Sequence, residues 1–298
     1  MSTILQLLAE LDLKAIFFIT GHMAERLEDF PNTVDLLNEH EIGYHSSSHS
    51  VHPTIFEYTD IADYDEAYSI SIKRETSHIN PLTGNIEGKG GLLFLKELFP
   101  AKSIVAYRAP GCCWSPPHTE ALRDLGINFD FSSAASSSNA VSHKGITFYP
   151  YPILGSWNGS LRDYRFLGQS VLKNEVTVTG FHPSLLVSEN QWDSIYHRGN
   201  PKHTAPPKPR EPAETQRLVR DFELFLRRMR TLEKAKLAQI TAEPRASERK
   251  LKLGKEMAER CYQRSMIWAH RWFNYDPKFL HNHFLKFYEQ PIQHLYKP

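Results

Sequence analysis

Cysteine is scarce in this chain: Cys112, Cys113 and Cys261 are the only three in 298 residues. Three cysteines, two of them adjacent and none in a C-x-x-C spacing, exclude a disulfide framework. They read as reduced thiols and point to a reducing compartment, the cytoplasm. Long apolar runs are lacking too, so no segment is expected to span a membrane. The first residues show no secretory signal pattern. Charge of one sign is not in excess: the formal net charge is +1, which gives no reason to expect nucleic acid as a partner. No internal repeat is visible.

What is present suits an ordinary globular protein, with 41% apolar and 23% charged residues. The length allows one large α/β domain, or a domain of about 200–250 residues followed by a tail. Apolar residues at helical spacing in "TILQLLAELDL" predict a first helix, and "KAIFFITG" (14–21) predicts a short buried strand stopped by Gly21. "TVDLLNEHEIGYHS" repeats that helix-then-strand pattern. "DEAYSISIKRETSHI" predicts another helix and "GNIEGKGG" a Gly-rich loop, with "GNIEGKGGLLFLKELFP" taken as an insertion shaping a groove. "SIVAYRAPG" reads as a strand entering a loop, "PPHTEALRDLGINFDFSS" as a helix opened by prolines and then a strand end, and "EVTVTGFHPSLL" as a strand ending at Gly180. Residues 200–212 form a Pro-rich basic loop, followed by an amphipathic helix from "AETQRLVRDFELFLRRMRTLEKA" and a further short strand in "KLAQITAEP". From about residue 245 the chain reads as helical, then aromatic and His-rich.

Alternating strands and helices imply βα units around a mostly parallel sheet or barrel. In such folds the residues just past the carboxyl ends of strands gather at one rim. His45, His49, Arg108, Asp130 and His182 all fall at those places. His45 and His49 form an H-x-x-x-H pair, and neutral imidazole suits zinc, iron, cobalt or nickel. A plain polar turn explains the intervening serines equally well. Arg108 could orient a carboxylate with its planar fork, or make a structural ion pair. Asp130, read alone, is a strand-end acid bonding to nearby backbone. His182, held extended before Pro183, has the ring chemistry of a general acid near neutral pH.

Other candidates read as structure. Cys112 and Cys113 lack an identifiable base and suit packing. The "HNH" at 281–283 lies among aromatics and belongs to a packed tail. Trp114 and Trp157 could stack on a sugar, but core packing is the commoner use of such rings. Arg227, Arg228 and Arg230 suit a solvated helix face.

Taken in order, "LDLKAIFFITG", "HEIGYHSSSHS", "YRAPGCCWSPPHTEALRDLGINFDFSS", "GFHPSLL" and "FELFLRRMRTLEKAKLAQIT" resemble the polysaccharide deacetylase family, also called the NodB homology domain or carbohydrate esterase family 4. The resemblance covers about residues 1–243, leaving 244–298 as a helical, aromatic and His-rich C-terminal extension. It implies a distorted (β/α)7 TIM-like barrel and hydrolysis of an N-acetyl or similar amide on an amino sugar, polysaccharide or glycan. By that resemblance His45 and His49 bind a divalent metal, zinc first, with Co2+, Ni2+ or Fe2+ as alternatives. His182 protonates the leaving amine, Arg108 positions the base, and Asp130 supports this network. Family members begin with a strand ending T-F-D-D, which supplies the base and a third metal ligand, some 20 residues before "KAIFF". Only 13 residues precede Lys14 here. The expectation is therefore that Met1 is an internal methionine of a longer protein whose missing start could also have held a signal.

The alternatives are a degenerate carbohydrate-binding or scaffold relative, and a hydrolase of cyclic amides on the same fold. The C-terminal extension is expected to cap the barrel or to form an oligomer contact.

Overall fold

The computed structural model describes residues 2–47, 61–79, 83, 85–110, 114–132, 141–149, 153–154, 178–189, 208–231, 258–263, 279–289 and 293–294. His49, Cys112, Cys113 and Trp157, and all of 200–207 and 232–243, lie outside the described residues. The chain divides into two compact units. One comprises Met1–Ala15, Tyr151–Glu243 and Lys297–Pro298; the other comprises Ile16–Pro150 and Pro244–Tyr296.

The second unit is built on a seven-stranded sheet. Its strands are β1 (Ile16–Ile19), β2 (Glu41–Tyr44), β5 (Ala106–Tyr107), β6 (Phe129–Asp130), β7 (Val141–His143), β8 (Ile146–Phe148) and β11 (Gln293–His294), in the order β1-β2-β5-β6-β8-β7-β11. The pairings from β1 through β8 are parallel, while β7 and β11 add on antiparallel. The parallel βα architecture expected from the alternating pattern is present. Among the described residues the sheet is open, so they do not form the closed barrel that the resemblance implies.

Helices cover this sheet: α2 (Gly21–Leu27), α3 (Pro31–Asn38), α4 (Tyr64–Thr76), α5 (Gly91–Leu98), α6 (Pro116–Asp124) and α8 (Phe279–Phe287). Thr20 caps α2, its hydroxyl accepting from Met23 N at 3.1 Å, and Asp63 caps α4 through Glu66 N at 2.8 Å. Pro116 and Pro117 open α6, as expected, because the first helical turn needs no proline N–H.

Three local readings are corrected. The helix expected through Ile79 stops at Thr76, and β3 (His78–Ile79) pairs antiparallel with β4 (Ile86–Gly88). The Gly-rich stretch is not all loop, since α5 starts at Gly91 and buries Leu92 and Leu95. The extension is not purely helical, since β11 pairs with β7. Trp114, 3% exposed, lies among Phe148, Phe284, Phe287 and Tyr288, so it is a core residue. The described part of the tail thus packs within its own unit.

The other unit holds α1 (Ser2–Glu10), the parallel pair β9 (Ile153–Leu154) and β10 (Thr179–Gly180), a 3-10 turn at Pro183–Leu186, and α7 (Pro212–Thr231). On α7, Arg217 and Arg227 pair with Asp221 and Glu223 on exposed turns, as a solvated face requires. No described helix is long and apolar enough to cross a membrane.

Candidate functional site

Strand ends of β2, β5 and β6 supply three of the expected residues. Tyr44 pairs with Tyr107, and Tyr107 with Asp130, so these three stand in one rank across the sheet. A side-chain period of two puts them on one face, and His45 and Arg108 are the first residues past the ends of their strands.

His45 is held at both ends. Its backbone N donates to Ile19 O at 3.0 Å, and its ring Nδ1 lies 2.5 Å from the Arg108 carbonyl. A carbonyl only accepts, so Nδ1 carries the proton and, in the neutral ring, Nε2 bears the lone pair. Arg108 N in turn donates to Tyr44 O at 3.1 Å. The two residues therefore lock the ends of β2 and β5 to each other.

The loop after His45 is also fixed. Ser46 is fully buried at φ 66°, a conformation costly for a residue with a Cβ. The first amides of α2 stabilise it: Gly21 N donates to Ser46 O at 3.1 Å and His22 N to Ser47 O at 2.9 Å. This approach needs residues without side chains. A Cβ on Gly21 would sit 2.6 Å from Gly91 Cα, and one on Gly91 would sit 2.7 Å from Ser47 Cα.

Asp130 is 1% exposed. Ser132 N donates to its Oδ1 at 2.8 Å and Ser132 Oγ to its Oδ2 at 3.1 Å, while that hydroxyl accepts from Ala109 N at 2.8 Å. Backbone bonding two residues on is what a strand-end aspartate was expected to do. Burial pushes its pKa up to about 7, and the two Ser132 bonds and the Arg108 guanidinium offset only part of that rise. Burial, followed by the Cys261 thiol and Asp130, likewise holds Tyr288 well above its ordinary value.

His182 belongs to the other unit. It precedes the 3-10 turn in an extended conformation, φ −104° and ψ 111°. Its neighbour Phe181 stacks on Phe222 of α7 with centroids 4.6 Å apart. Arg210 Nε donates to Leu185 O at 2.9 Å while its Nη1 reaches Glu214 at 2.7 Å, and Arg210 N donates to Val187 O at 2.9 Å. The segment carrying His182 is thereby strapped to α7. The structure brings His45, Arg108 and Asp130 together, and places His182 in a separately fixed loop.

Among the described residues no group of three or more His, Cys, Asp or Glu side chains is arranged to hold a metal. His45 is the described member of the expected ligand pair.

Sequence reasoning passed over Glu75, His118 and Ser132. Only Ser132 left a local signal, the Asp-x-Ser spacing of an Asx turn.

Residues 1–85 match the family model for polysaccharide deacetylase. The match covers the first 85 of the 298 residues. That segment contains His45 and His49 and ends before Arg108, Asp130 and His182. A solved structure from Mycobacterium smegmatis, provisionally named a polysaccharide deacetylase, is similar at 18% identity and a TM-score of 0.36. That alignment covers 77% of this chain and 59% of that one. A 4-alpha-glucanotransferase from Thermococcus litoralis is similar at 15% identity and a TM-score of 0.41, over 77% of this chain and 33% of that one. The chain thus spans less than two thirds of either structure, and likeness at this level does not decide a fold. The search of curated proteins finds no match.

Proposed function

We propose that the protein is a metal-dependent hydrolase that removes N-acetyl, or a similar amide-linked acyl, groups from an amino sugar, polysaccharide or glycan. The observation that carries this reading is the His45 ring, whose Nδ1–H is spent on the Arg108 carbonyl. A backbone carbonyl fixing one imidazole nitrogen while the other keeps its lone pair is the usual outer support of a metal-binding histidine. The polysaccharide deacetylase match over the segment containing His45 and His49 supports the same reading.

His45 through Nε2, together with His49, would hold the ion, zinc first and Co2+, Ni2+ or Fe2+ as alternatives. When bound, the ion supplies Lewis acidity toward the acyl carbonyl and toward water. Arg108, anchored through its own backbone at the rim, would orient a carboxylate base of the kind the T-F-D-D strand carries in the family it resembles, which would take the proton from water. His182 delivers a proton to the leaving amine nitrogen, completing amide cleavage. Asp130 supports the rim through Ser132 and the backbone of Ala109. In this reading the parallel strands β1, β2, β5, β6 and β8 belong to a distorted (β/α)7 barrel of about residues 1–243.

The test is acetate release from an N-acetylated chito-oligosaccharide, with zinc and with a chelator, by the chain provided with the T-F-D-D strand that the resemblance calls for. The expected result is release that the chelator stops and that His45→Ala or His182→Ala abolishes. Glycan binding without turnover would replace this reading with a carbohydrate-binding one. Turnover of a cyclic imide alone would keep the chemistry and change the substrate class.

A further inference from the structure

Below the rim lies a polar cluster with no solvent contact. Glu75 of α4 is fully buried and its carboxyl group spans two partners. The Tyr44 hydroxyl donates to Oε2, and His118 Nε2 donates to Oε1 at 2.6 Å. His118, from the first turn of α6, is also fully buried, and its ring meets the edge of Tyr107 at 5.5 Å and 82°. Tyr107 in turn lies 6.0 Å from Tyr44, its register partner on the neighbouring strand. A strand and a second helix thus meet on one carboxyl group of α4, and the adjacent strand packs Tyr107 on the two side chains that bond it.

Such a cluster is an expensive way to fill space. Removing a carboxyl and an imidazole from water costs several kcal/mol per charged group, and well-packed apolar residues often serve stability as well or better. What a hydrogen-bonded cluster adds is a single allowed geometry. The geometry it fixes here is that of Tyr44 and Tyr107, the residues immediately before His45 and Arg108.

A second observation ties the cluster to the same place. The Gly90–Gly91 step wraps it so closely that a Cβ on Gly90 would lie 2.3 Å from the Glu75 carbonyl oxygen. A Cβ on Gly91 would lie 2.8 Å from the Tyr44 hydroxyl and 2.9 Å from Ser47 Oγ. The cluster therefore abuts the strand before His45 and the loop after it.

We propose that Tyr44, Glu75 and His118 form a positioning network that fixes the ends of β2 and β5 and so sets how His45 and Arg108 are presented. None of the three is assigned a contact with substrate. The inference rests on the metal-dependent reading of His45 and is tested so that the two can fail separately.

The experiment compares the full chain with Tyr44→Phe and Glu75→Gln. The zinc dissociation constant is measured by competition with a chromophoric chelator, and thermal unfolding is followed on the same metal-free samples. Outer support of a metal ligand is worth about 10–100-fold in affinity. Tyr44→Phe keeps the ring and is expected to unfold cooperatively while binding zinc at least about tenfold more weakly. Glu75→Gln keeps an acceptor and is expected to lose less. A lower unfolding midpoint with unchanged zinc affinity in both variants would overturn the proposal and leave the metal reading standing.

If the parent binds no zinc, the metal reading falls, and amide exchange in the metal-free proteins decides the network. Faster exchange confined to the His45 and Arg108 amides supports it, and unchanged exchange at both overturns it.

Discussion

Replacing Asp130 by Asn should stabilise the protein above neutral pH and make little difference in acid. Asp130 is fully buried, and burial raises its pKa from 3.8 to about 7. A tenfold change in proton affinity corresponds to about 1.4 kcal/mol, so the ionised form costs the folded state about 4 kcal/mol. The sign follows from proton binding. Between those two values the folded chain holds a proton that the unfolded chain has lost, so stability falls as pH rises through this window. The cost is absent below the lower value and complete above the upper one. Asn fits the same space: its Oδ1 can accept from Ser132 N, and its amide can donate to Ser132 Oγ. Relaxation around the carboxylate reduces the gain, so Asp130→Asn is expected to add about 2–4 kcal/mol at pH 8 and close to nothing at pH 4. Urea unfolding of the metal-free parent and variant from pH 4 to 8.5 reads this difference directly. A difference that is constant across pH, or a variant less stable than the parent at pH 8, would refute the reasoning.

Other outcomes follow from the same contacts. Gly91→Ala places a methyl against Ser47 Cα and the Tyr44 hydroxyl, and should cost about 1–3 kcal/mol in chemical unfolding. Trp114→Ala should lose about 3–5 kcal/mol, since the ring is enclosed by four aromatic neighbours; unchanged stability would return Trp114 to a surface role. Arg210→Ala removes the bond to Leu185 O and should lower kcat through the His182 loop while zinc affinity, read by chelator competition, stays the same.

The parallel part of the sheet was legible because each strand there is a short apolar run between helices. "KAIFFITG" and "HEIGYHS" contain β1 and β2, and the doubled proline marks the start of α6. The β7–β8 hairpin was not legible. Its turn uses Lys144 and Gly145, both at positive φ, and Lys–Gly is a weaker hairpin signal than Asn–Gly or Asp–Gly. Strand β11 escaped because its pairing with β7 joins residues far apart in sequence. Helix α5 was hidden by Gly90 and Gly91, which read as a loop but serve close backbone approach.

At the site, the sequence placed His45, Arg108 and Asp130 at strand ends, where the structure has them. It could not show Glu75, which is 31 residues from Tyr44 and 43 from His118. No local pattern links residues that distant, and a carboxylate within a helical run reads as solvated until its burial is known.

The most direct test of the metal-site claim is zinc K-edge X-ray absorption of the zinc-loaded full chain and its His45→Ala variant. The account predicts imidazole nitrogens at about 2.0–2.1 Å in the parent and one fewer in the variant. The same imidazole scattering in both proteins, or no stoichiometric zinc in the parent, would contradict it.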